Sequence, residues 1–438
     1  MTEPSPRAQL IRSLDEKYVA DSVVFASMCA AGTLIVDGAS LRGPDGEFDR
    51  AAIRDRIERL SWFAPSMRQR LVHTPLRATT PAWVPVEHLD LEYHVRFHSG
   101  VEPDDPGVVE ALTGRDSPVL DLDRPLWDLV FVPLESGRVA IVLRYHHVVG
   151  DAMFGLRIGD VLAGTAAQST APVPGDAERE AVGIAPRTGL GVLRLAWREW
   201  RGRHGSAGDA WRAYWRKPFR MRLRRWGGRV LRPLKNARIA RTGMVEAARR
   251  GRSSEYVVVD FAAATKRAYR LGGTVNDLLA AAALRAVADQ REGTESISIL
   301  VPISRRARGD GEVRNDVSIV KVSVPTSASV EEMLPLVREQ VQRAVDSGGS
   351  IVEGAEDWVG FATFVTLGRD QRWFGDAPLE TLVGWPAGDP RDDLAVLACA
   401  YRRELVVSAT VRDSIDRSAL MRSIERSLSV PAERPARV

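Results

Sequence analysis

The sequence predicts an α/β protein that is built from two halves. Its 438 residues exceed the length that one hydrophobic core usually holds, so two domains are expected. Stretches with strand character alternate with stretches of helical periodicity on both sides of the middle of the chain. Between them, residues 194–252 hold 19 Lys or Arg residues against three acidic residues. We therefore divide the chain into an N-terminal half (1–178), a basic crossover segment (179–252) and a C-terminal half (253–438).

The N-terminal half combines helical and strand patterns. Apolar residues at positions 53, 57 and 60 recur at helical spacing between charged neighbours. Runs that are rich in β-branched and aliphatic side chains are typical of strands. The elements predicted from these patterns are a helix around residues 53–60, strands at 33–36 and 139–145, a helix at 153–162 and a loop at 166–175.

The C-terminal half shows the same mixture. Thr274 precedes an Ala- and Leu-rich stretch and is a suitable N-cap, and Asp416 has the same place before the last predicted helix. The elements predicted there are strands at 256–261, 297–303 and 317–324, helices that begin after 274 and after 416, a helix at 330–344, and a hairpin made of residues 394–401 and 405–411.

Composition excludes several classes of protein. The two cysteines, Cys29 and Cys399, are too few for a disulfide scaffold or a cysteine-rich zinc module. No stretch reaches the roughly 18–20 uncharged apolar residues of a membrane span, and the first residues show no charged-then-apolar signal pattern. A glycine-rich phosphate loop is also missing from the sequence. We therefore expect a cytoplasmic protein.

The most distinctive local feature is a pair of adjacent histidines, His146 and His147, with Asp151 four residues further on. The pair lies where a predicted strand ends and a helix begins. Because neighbouring residues of a strand point to opposite faces, one histidine can face a pocket while the other supports it. Neutral imidazole suits proton abstraction, since its pKa of about 6.5 lies near working pH. From the residues alone, a general base, a structural pair and a metal site all stay open; a third histidine nearby is missing, which disfavours metal.

These residues resemble a known family. His146, His147 and Asp151 resemble the HHxxxDG motif of wax ester synthase/diacylglycerol acyltransferases. That family is part of the CoA-dependent acyltransferase superfamily, with chloramphenicol acetyltransferase and peptide-synthetase condensation domains. Other segments match the family in its own order over most of the chain, least in the basic segment and the C-terminal third. They are residues 63–71 (FAPSMRQRL), 90–96 (DLEYHVR), 122–128 (LDRPLWD), 274–277 (TVND), 301–304 (VPIS) and 314–318 (RNDVS).

The resemblance implies two chloramphenicol acetyltransferase-like halves that form a pseudo-dimer with an active-site channel between them. It implies acyl transfer from acyl-CoA, as co-substrate, to a hydroxyl acceptor, with no other cofactor and no metal. His147 would be the general base and His146 its support. Asp151 would hold the loop through a partner such as an arginine.

Three further regions follow from the resemblance as candidates for contact with the substrate. Arg124 and Trp127 would brace the fold or touch substrate, and Asn276 and Asp277 would cap a helix or border the channel. Asn315 lies in a matching segment and is a further candidate.

Two departures from the family pattern leave the substrate open. Ala152 stands where the motif has its final glycine, which implies a negative φ or strain at that position. A clear NVPGP-like motif is missing, and residues 367–370 or 385–388 are the candidates for that region. The resemblance implies a long-chain alcohol or diacylglycerol as the acceptor. The alternative is a hydroxyl or amine of a specialised metabolite, with a CoA or carrier-protein thioester as the donor. A non-catalytic lipid-binding homologue is the further alternative.

The basic segment contains five of the 11 tryptophans. Leu193, Trp197, Trp200 and His204 follow helical spacing with arginines beside them, and a second such stretch follows Pro218. Arg and Trp on an amphipathic helix are typical of a helix at an anionic membrane surface, here within residues 193–235. A linker whose tryptophans pack on the protein and a patch that gathers anionic CoA are the alternatives. We expect no nucleic acid partner, because the rest of the chain is acidic. The protein would be cytoplasmic, peripheral at the inner face of the membrane.

Overall fold

A computed structural model shows the protein as two mixed α/β halves. The residues it describes are 9–11, 15–20, 26, 28–75, 79–115, 118–167, 173, 175, 188–203, 218–220, 251–291, 293–304, 317–347, 358–389 and 392–429. Asn315 and most of the second amphipathic stretch after Pro218 lie outside these residues, as does most of the loop predicted at 166–175.

The N-terminal half is built on a six-stranded sheet. In spatial order, its strands are β12 (Trp373–Phe374), β13 (Ala377–Trp385), β2 (Cys29–Val36), β7 (Val139–His146), β6 (Trp127–Pro133) and β5 (Val95–Phe97). All neighbours pair antiparallel except β5 and β6, which are parallel. The strand predicted at 33–36 begins earlier, because the ladder between β2 and β7 extends back to Cys29.

The C-terminal half has its own six-stranded sheet. In spatial order, its strands are β10 (Val317–Pro325), β9 (Ser296–Ser304), β11 (Gly360–Gly368), β14 (Leu394–Tyr401), β15 (Glu404–Arg412) and β8 (Arg252–Asp260). The predicted hairpin is confirmed: β14 and β15 are joined by two residues, of which Arg402 has a φ of 54°. A two-residue hairpin turn needs positive φ, which accounts for this conformation at a residue other than glycine.

A small third sheet, in the order β1 (Gln9–Leu10), β4 (Ala82–Pro85), β3 (Gln69–Val72), lies beside the N-terminal half. The helices with described bounds are α1 (Glu16–Ala20), α2 (Arg50–Ser61), α3 (Leu91–His94), α4 (Pro106–Glu110), α5 (Ala152–Leu162), α6 (Gly189–Arg203), α7 (Phe261–Arg270), α8 (Val275–Ala288), α9 (Val330–Asp346) and α10 (Arg417–Leu428). Short 3-10 turns span Ala39–Leu41 and Pro65–Arg68, and a π-helical turn spans Ala111–Arg115. Thr274 and Asp416 cap α8 and α10 as predicted.

Two strands of the C-terminal half, β12 and β13, belong to the N-terminal sheet. Strand β13 pairs antiparallel with β2 over its last residues, and the N-terminal core includes Leu379, Leu382 and Phe374. Two buried hydrogen bonds fasten this strand on both sides. The indole N–H of Trp385 donates to the Thr33 hydroxyl over 2.9 Å, and the Ser408 hydroxyl of β15 donates to the Gly384 carbonyl. The two halves are therefore interlocked by shared sheet, in addition to side-chain packing.

The hydrogen bond between Trp385 and Thr33 offers a test of this interlock. Thr33 is fully buried, and Thr33→Val keeps the shape of the side chain while it removes the acceptor of the indole N–H. An unpaired buried donor costs about 1–3 kcal/mol, so we expect the free energy of unfolding in urea to fall by that amount. Thr265→Val, at an exposed helical site, is the matched control and should change it by less than about 0.5 kcal/mol. Equal stability of Thr33→Val and wild type would show that the bond does not fasten the strand.

Candidate active site

The two histidines lie at the end of β7 and are held by backbone bonds to opposite neighbours. The amide of His146 donates to the carbonyl of Leu126, next to β6, over 3.0 Å. The amide of His147 donates to the carbonyl of Met28, next to β2, over 2.8 Å. Consecutive amides of a strand point in opposite directions, so both anchors follow directly from the position of β7 between β2 and β6.

The side chains of the two histidines have different surroundings. His146 is fully buried, and its Nδ1 accepts a hydrogen bond from the amide of Val148 over 3.0 Å. In the neutral imidazole the proton is therefore on Nε2. His147 is partly exposed and lies on the wall of a cavity, with the ring of Tyr18 at a centroid distance of 5.4 Å. The alternation predicted from the sequence is thus present, with the second histidine at the cavity.

The cavity lies between the two halves and has a volume of about 310 Å³. Its lining comes from β2, β7 and β13 of the N-terminal sheet, from α5, and from β9, β10, β11 and β14 of the C-terminal sheet. Most of its lining is aliphatic or aromatic. Polar groups on its wall include Tyr18, His147, Asp151, Ser304, Thr363, Asp389 and Asp392. A cavity of this size and polarity suits a mainly apolar ligand with a few polar anchoring points.

Asp151 lies at the start of α5 and caps that helix. Its carboxylate accepts hydrogen bonds from the amides of Met153 and Phe154, over 3.1 and 3.2 Å. Backbone amides of the first turn of α5 are thus partners of Asp151, and the arginine partner expected from the resemblance stays a prediction. Ala152 is the first residue of the helix, and among the described residues only Arg402 combines a side chain with a positive φ. Alanine is accommodated here without backbone strain.

The segment at residues 122–128 braces the strand that carries the histidines. Asp128 and Arg144, which are register partners in β6 and β7, form a buried bidentate ion pair with distances of 3.1 and 2.5 Å. Trp127 is buried, stacks on His94, and donates its indole N–H to the carbonyl of Met67 over 2.7 Å. The ion pair fixes the register of β7 against β6, and the indole hydrogen bond ties β6 to the turn at Pro65–Arg68.

The other site residues predicted from the sequence lie away from the lining of this cavity or outside the described residues, and their contact with substrate stays a prediction. Arg124 pairs with Asp90 and stacks on Tyr93, and neither Arg124 nor Trp127 lines the cavity. Asp277 forms a capping box with Thr274, so its carboxylate is engaged at the start of α8. Asn276 lies in the same first turn, and neither residue lines the cavity. Asn315 lies outside the described residues.

Several residues of the cavity were not identified from the sequence. Trp358, Asp389 and Asp392 form one part of its wall, where the indole N–H of Trp358 donates to Asp392 Oδ1 over 3.1 Å. Arg252 donates to the backbone carbonyls of Asp389 and Asp392 and so holds the loop before β14. The run at 385–388, named above as a candidate for this region, does contribute Trp385, Pro386 and Ala387 to the wall.

Cys399 also lines the cavity, but its chemistry argues against a nucleophilic role. Burial raises the pKa of the Cys399 thiol to about 12. The thiol therefore stays protonated at neutral pH, and the thiolate is the nucleophilic form. Within the described residues, no cluster of three or more His, Cys, Asp or Glu side chains has an arrangement that could hold a metal ion.

Two α/β halves with a histidine on the wall of the cavity between them are the architecture that the family resemblance implied. The sequence model for the wax ester synthase/diacylglycerol acyltransferase catalytic domain matches residues 32–279. The chain therefore belongs to the wax ester synthase/diacylglycerol acyltransferase family.

Named relatives come from Mycobacterium tuberculosis. A candidate diacylglycerol O-acyltransferase of strain H37Rv is 25% identical over 334 residues, which cover 70% of this chain and 65% of that protein. Another is 28% identical over 121 residues, 27% of this chain and 24% of the relative. The matched region thus spans about a quarter to two thirds of the length of these relatives.

Solved structures share the fold over almost the whole chain. The wax ester synthase/diacylglycerol acyltransferase from Marinobacter aquaeolei VT8 superposes with a TM-score of 0.56 at 16% identity, covering 96% of this chain and 98% of that chain. The first condensation domain of the calcium-dependent antibiotic synthetase superposes with a TM-score of 0.62 at 15% identity, covering 97% and 95%.

The hydrogen bond from Val148 to His146 generates a prediction about the support of the site. His146→Asn keeps an acceptor for the amide two residues on, as Asn side chains do in turns. His146→Leu fills a similar volume without an acceptor, and we expect it to lower the free energy of unfolding by about 1–3 kcal/mol more than His146→Asn does. Chemical denaturation followed by circular dichroism measures both. Equal losses in the two variants would mean that this bond does not hold the loop.

Proposed function

We propose that the protein transfers an acyl group from acyl-CoA to the hydroxyl of a lipophilic acceptor, with His147 as general base. The observation that supports this most is the position of His147 on the wall of an apolar cavity between the two halves. Membership of the family and the names of the Mycobacterium tuberculosis relatives point to diacylglycerol or a long-chain alcohol as the acceptor.

The proposed reaction is a direct transfer. An imidazole nitrogen of His147 takes the proton of the acceptor hydroxyl, and the oxygen attacks the thioester carbonyl to form the new C–O bond. The tetrahedral oxyanion then collapses, the C–S bond breaks, and the thiolate of CoA takes the proton from the imidazolium. This route needs no enzyme nucleophile, which is consistent with a Cys399 thiol that stays protonated.

The catalytic role of His147 is tested by its removal. General-base catalysis contributes about 10²–10⁴-fold, so His147→Ala should lower the rate of CoA thiol release by that factor while its unfolding midpoint stays close to that of wild type. His88→Ala removes an exposed histidine outside the cavity lining and is the matched control. Near wild-type thiol release by His147→Ala would refute the assignment.

The acceptor class is decided by a crossed assay of thiol release. Acyl-CoAs of several chain lengths are combined with long-chain alcohols, diacylglycerol, short alcohols and amines. Activity confined to alcohols or diacylglycerol supports the proposal. Activity with amines, or with an acyl carrier-protein thioester in place of acyl-CoA, would instead favour the specialised-metabolite alternative, and turnover of no pair would favour a lipid-binding homologue.

We further propose that α6 contacts an anionic membrane surface, from which a lipid acceptor enters. Val192 and Leu195 of this helix pack on the small third sheet, whereas Trp197 is 52% exposed beside the exposed Arg194 and Arg198. About half of the Trp197 surface is thus accessible to a membrane. None of the described helices is long and apolar enough to cross a bilayer, and contact would therefore be peripheral.

Vesicle flotation tests this contact. Loss of one interfacial aromatic should weaken binding of Trp197→Ser to vesicles that contain anionic lipid by roughly tenfold. Binding of wild type should fall as salt is raised, because each basic residue near the surface contributes about 1 kcal/mol that salt screens. Tyr269→Ser removes a more exposed aromatic outside the segment and should bind like wild type. A wild-type protein that stays with the soluble fraction at low salt would refute the contact.

A further inference from the structure

Helix α5 turns toward the cavity a face on which two of the residues are glycines. Ala152, Gly155, Leu156 and Gly159 line the cavity at spacings of three and four residues, which place them on one side of the helix. The other side carries Phe154, Ile158 and Leu162, which are buried in the N-terminal core.

Two glycines of the cavity wall have an evident packing reason. A Cβ at Gly155 would lie 2.5 Å from the hydroxyl of Tyr145. A Cβ at Gly384 would lie 2.6 Å from the Cys399 sulfur and 2.7 Å from a Leu397 methyl group. At both positions the neighbouring side chains exclude any larger residue.

No packing contact of this kind accounts for the glycine at position 159. A Cβ built there would meet no atom within 4 Å, although the residue is buried and lies in the interior of α5. Its φ is not in the left-handed region that favours glycine. Glycine weakens a helix interior relative to alanine. The missing side chain therefore leaves open space in the cavity at a cost to the helix.

Gly32 shows the same pattern on a different wall. It lies inside β2, in register with Leu143 of β7 and with Gly384 of β13, and a Cβ there would also meet no atom within 4 Å. Glycine is unfavourable inside a strand as well, since it offers no side chain to pack. Two glycines that neither backbone nor packing requires thus border one cavity.

We propose that Gly159 and Gly32 keep open an arm of the cavity that takes a straight alkyl chain, and that they determine the chain length the protein accepts. Gly159 lies seven residues beyond Ala152, which is about 10 Å along the helix axis from the histidine loop. Helix α5 contacts β11, whose Val365 and Leu367 also line the cavity, so this arm is apolar. The inference rests on the proposed acyl transfer, because it assigns the chain to one of the two substrates of that reaction.

The experiment adds side-chain volume at each glycine. The variants are Gly159→Ala, Gly159→Leu and Gly32→Val. Each is assayed with two substrate series, and in each series the other substrate is held constant. One series varies the acyl chain of acyl-CoA, and the other varies the length of a straight-chain alcohol. We expect the ratio of kcat/KM for long over short chains to fall at least about tenfold for the larger substitutions in one of the two series, which identifies the chain that occupies the arm.

A matched control is Gly164→Ala. Gly164 follows α5, lies outside the cavity lining, and has room for a methyl group, since the nearest atom to a Cβ there is 3.8 Å away. Its length profile should equal that of wild type. Gly159→Ala guards against misfolding, because alanine favours the helix; it should shift the profile in the same direction by a smaller factor. Folded variants with the wild-type profile in both series would overturn the inference.

Direct binding separates this inference from the proposed function. Titration calorimetry with straight-chain fatty acids of increasing length needs no turnover. If wild type lacks acyl transfer but binds long chains, and Gly159→Leu binds them at least about tenfold more weakly relative to short ones, the arm stands and the proposed reaction falls. If wild type binds no chain of any length, the arm itself is refuted.

Discussion

The site depends on the position of β7 between β2 and β6. Both neighbours pair antiparallel with it, so the amides of His146 and His147 are bound to carbonyls on opposite sides. This arrangement sends one imidazole into the core and leaves the other at the cavity. The buried ion pair between Arg144 and Asp128, two residues before the first histidine, prevents the strand from sliding. A slip of one residue would exchange the two imidazoles.

The second constraint is that the C-terminal half contributes two strands, β12 and β13, to the N-terminal sheet. Strand β13 extends the N-terminal sheet, while its Gly384 carbonyl accepts from Ser408 of the C-terminal sheet. The cavity walls are therefore continuous with both cores. The lining is mostly apolar with a smaller number of polar groups, which suits a mainly apolar ligand.

Much of the fold followed from local patterns. The helix caps at Thr274 and Asp416, the hairpin through Arg402 and the strand before His146 depend on neighbouring residues, and the structure has them where they were expected. Strand β13 was not recognised, because its glycine and charged positions lack a clean alternation and its partners lie more than 300 residues away in the sequence. Non-local pairing overrides local propensity in such a strand.

For the site, the sequence by itself determined the histidine pair and the strand-to-helix turn that carries it. Alternation along a strand and the capping preference of Asp151 are local effects, so His147 could be chosen over His146 from the residues and the family resemblance. Only the tertiary structure decided what surrounds them. Trp358 and Asp392 reach the cavity, and Asn276 does not, because that depends on how two sheets pack. The same holds for Gly159, because a sequence pattern does not show whether the space beside a glycine is filled or open.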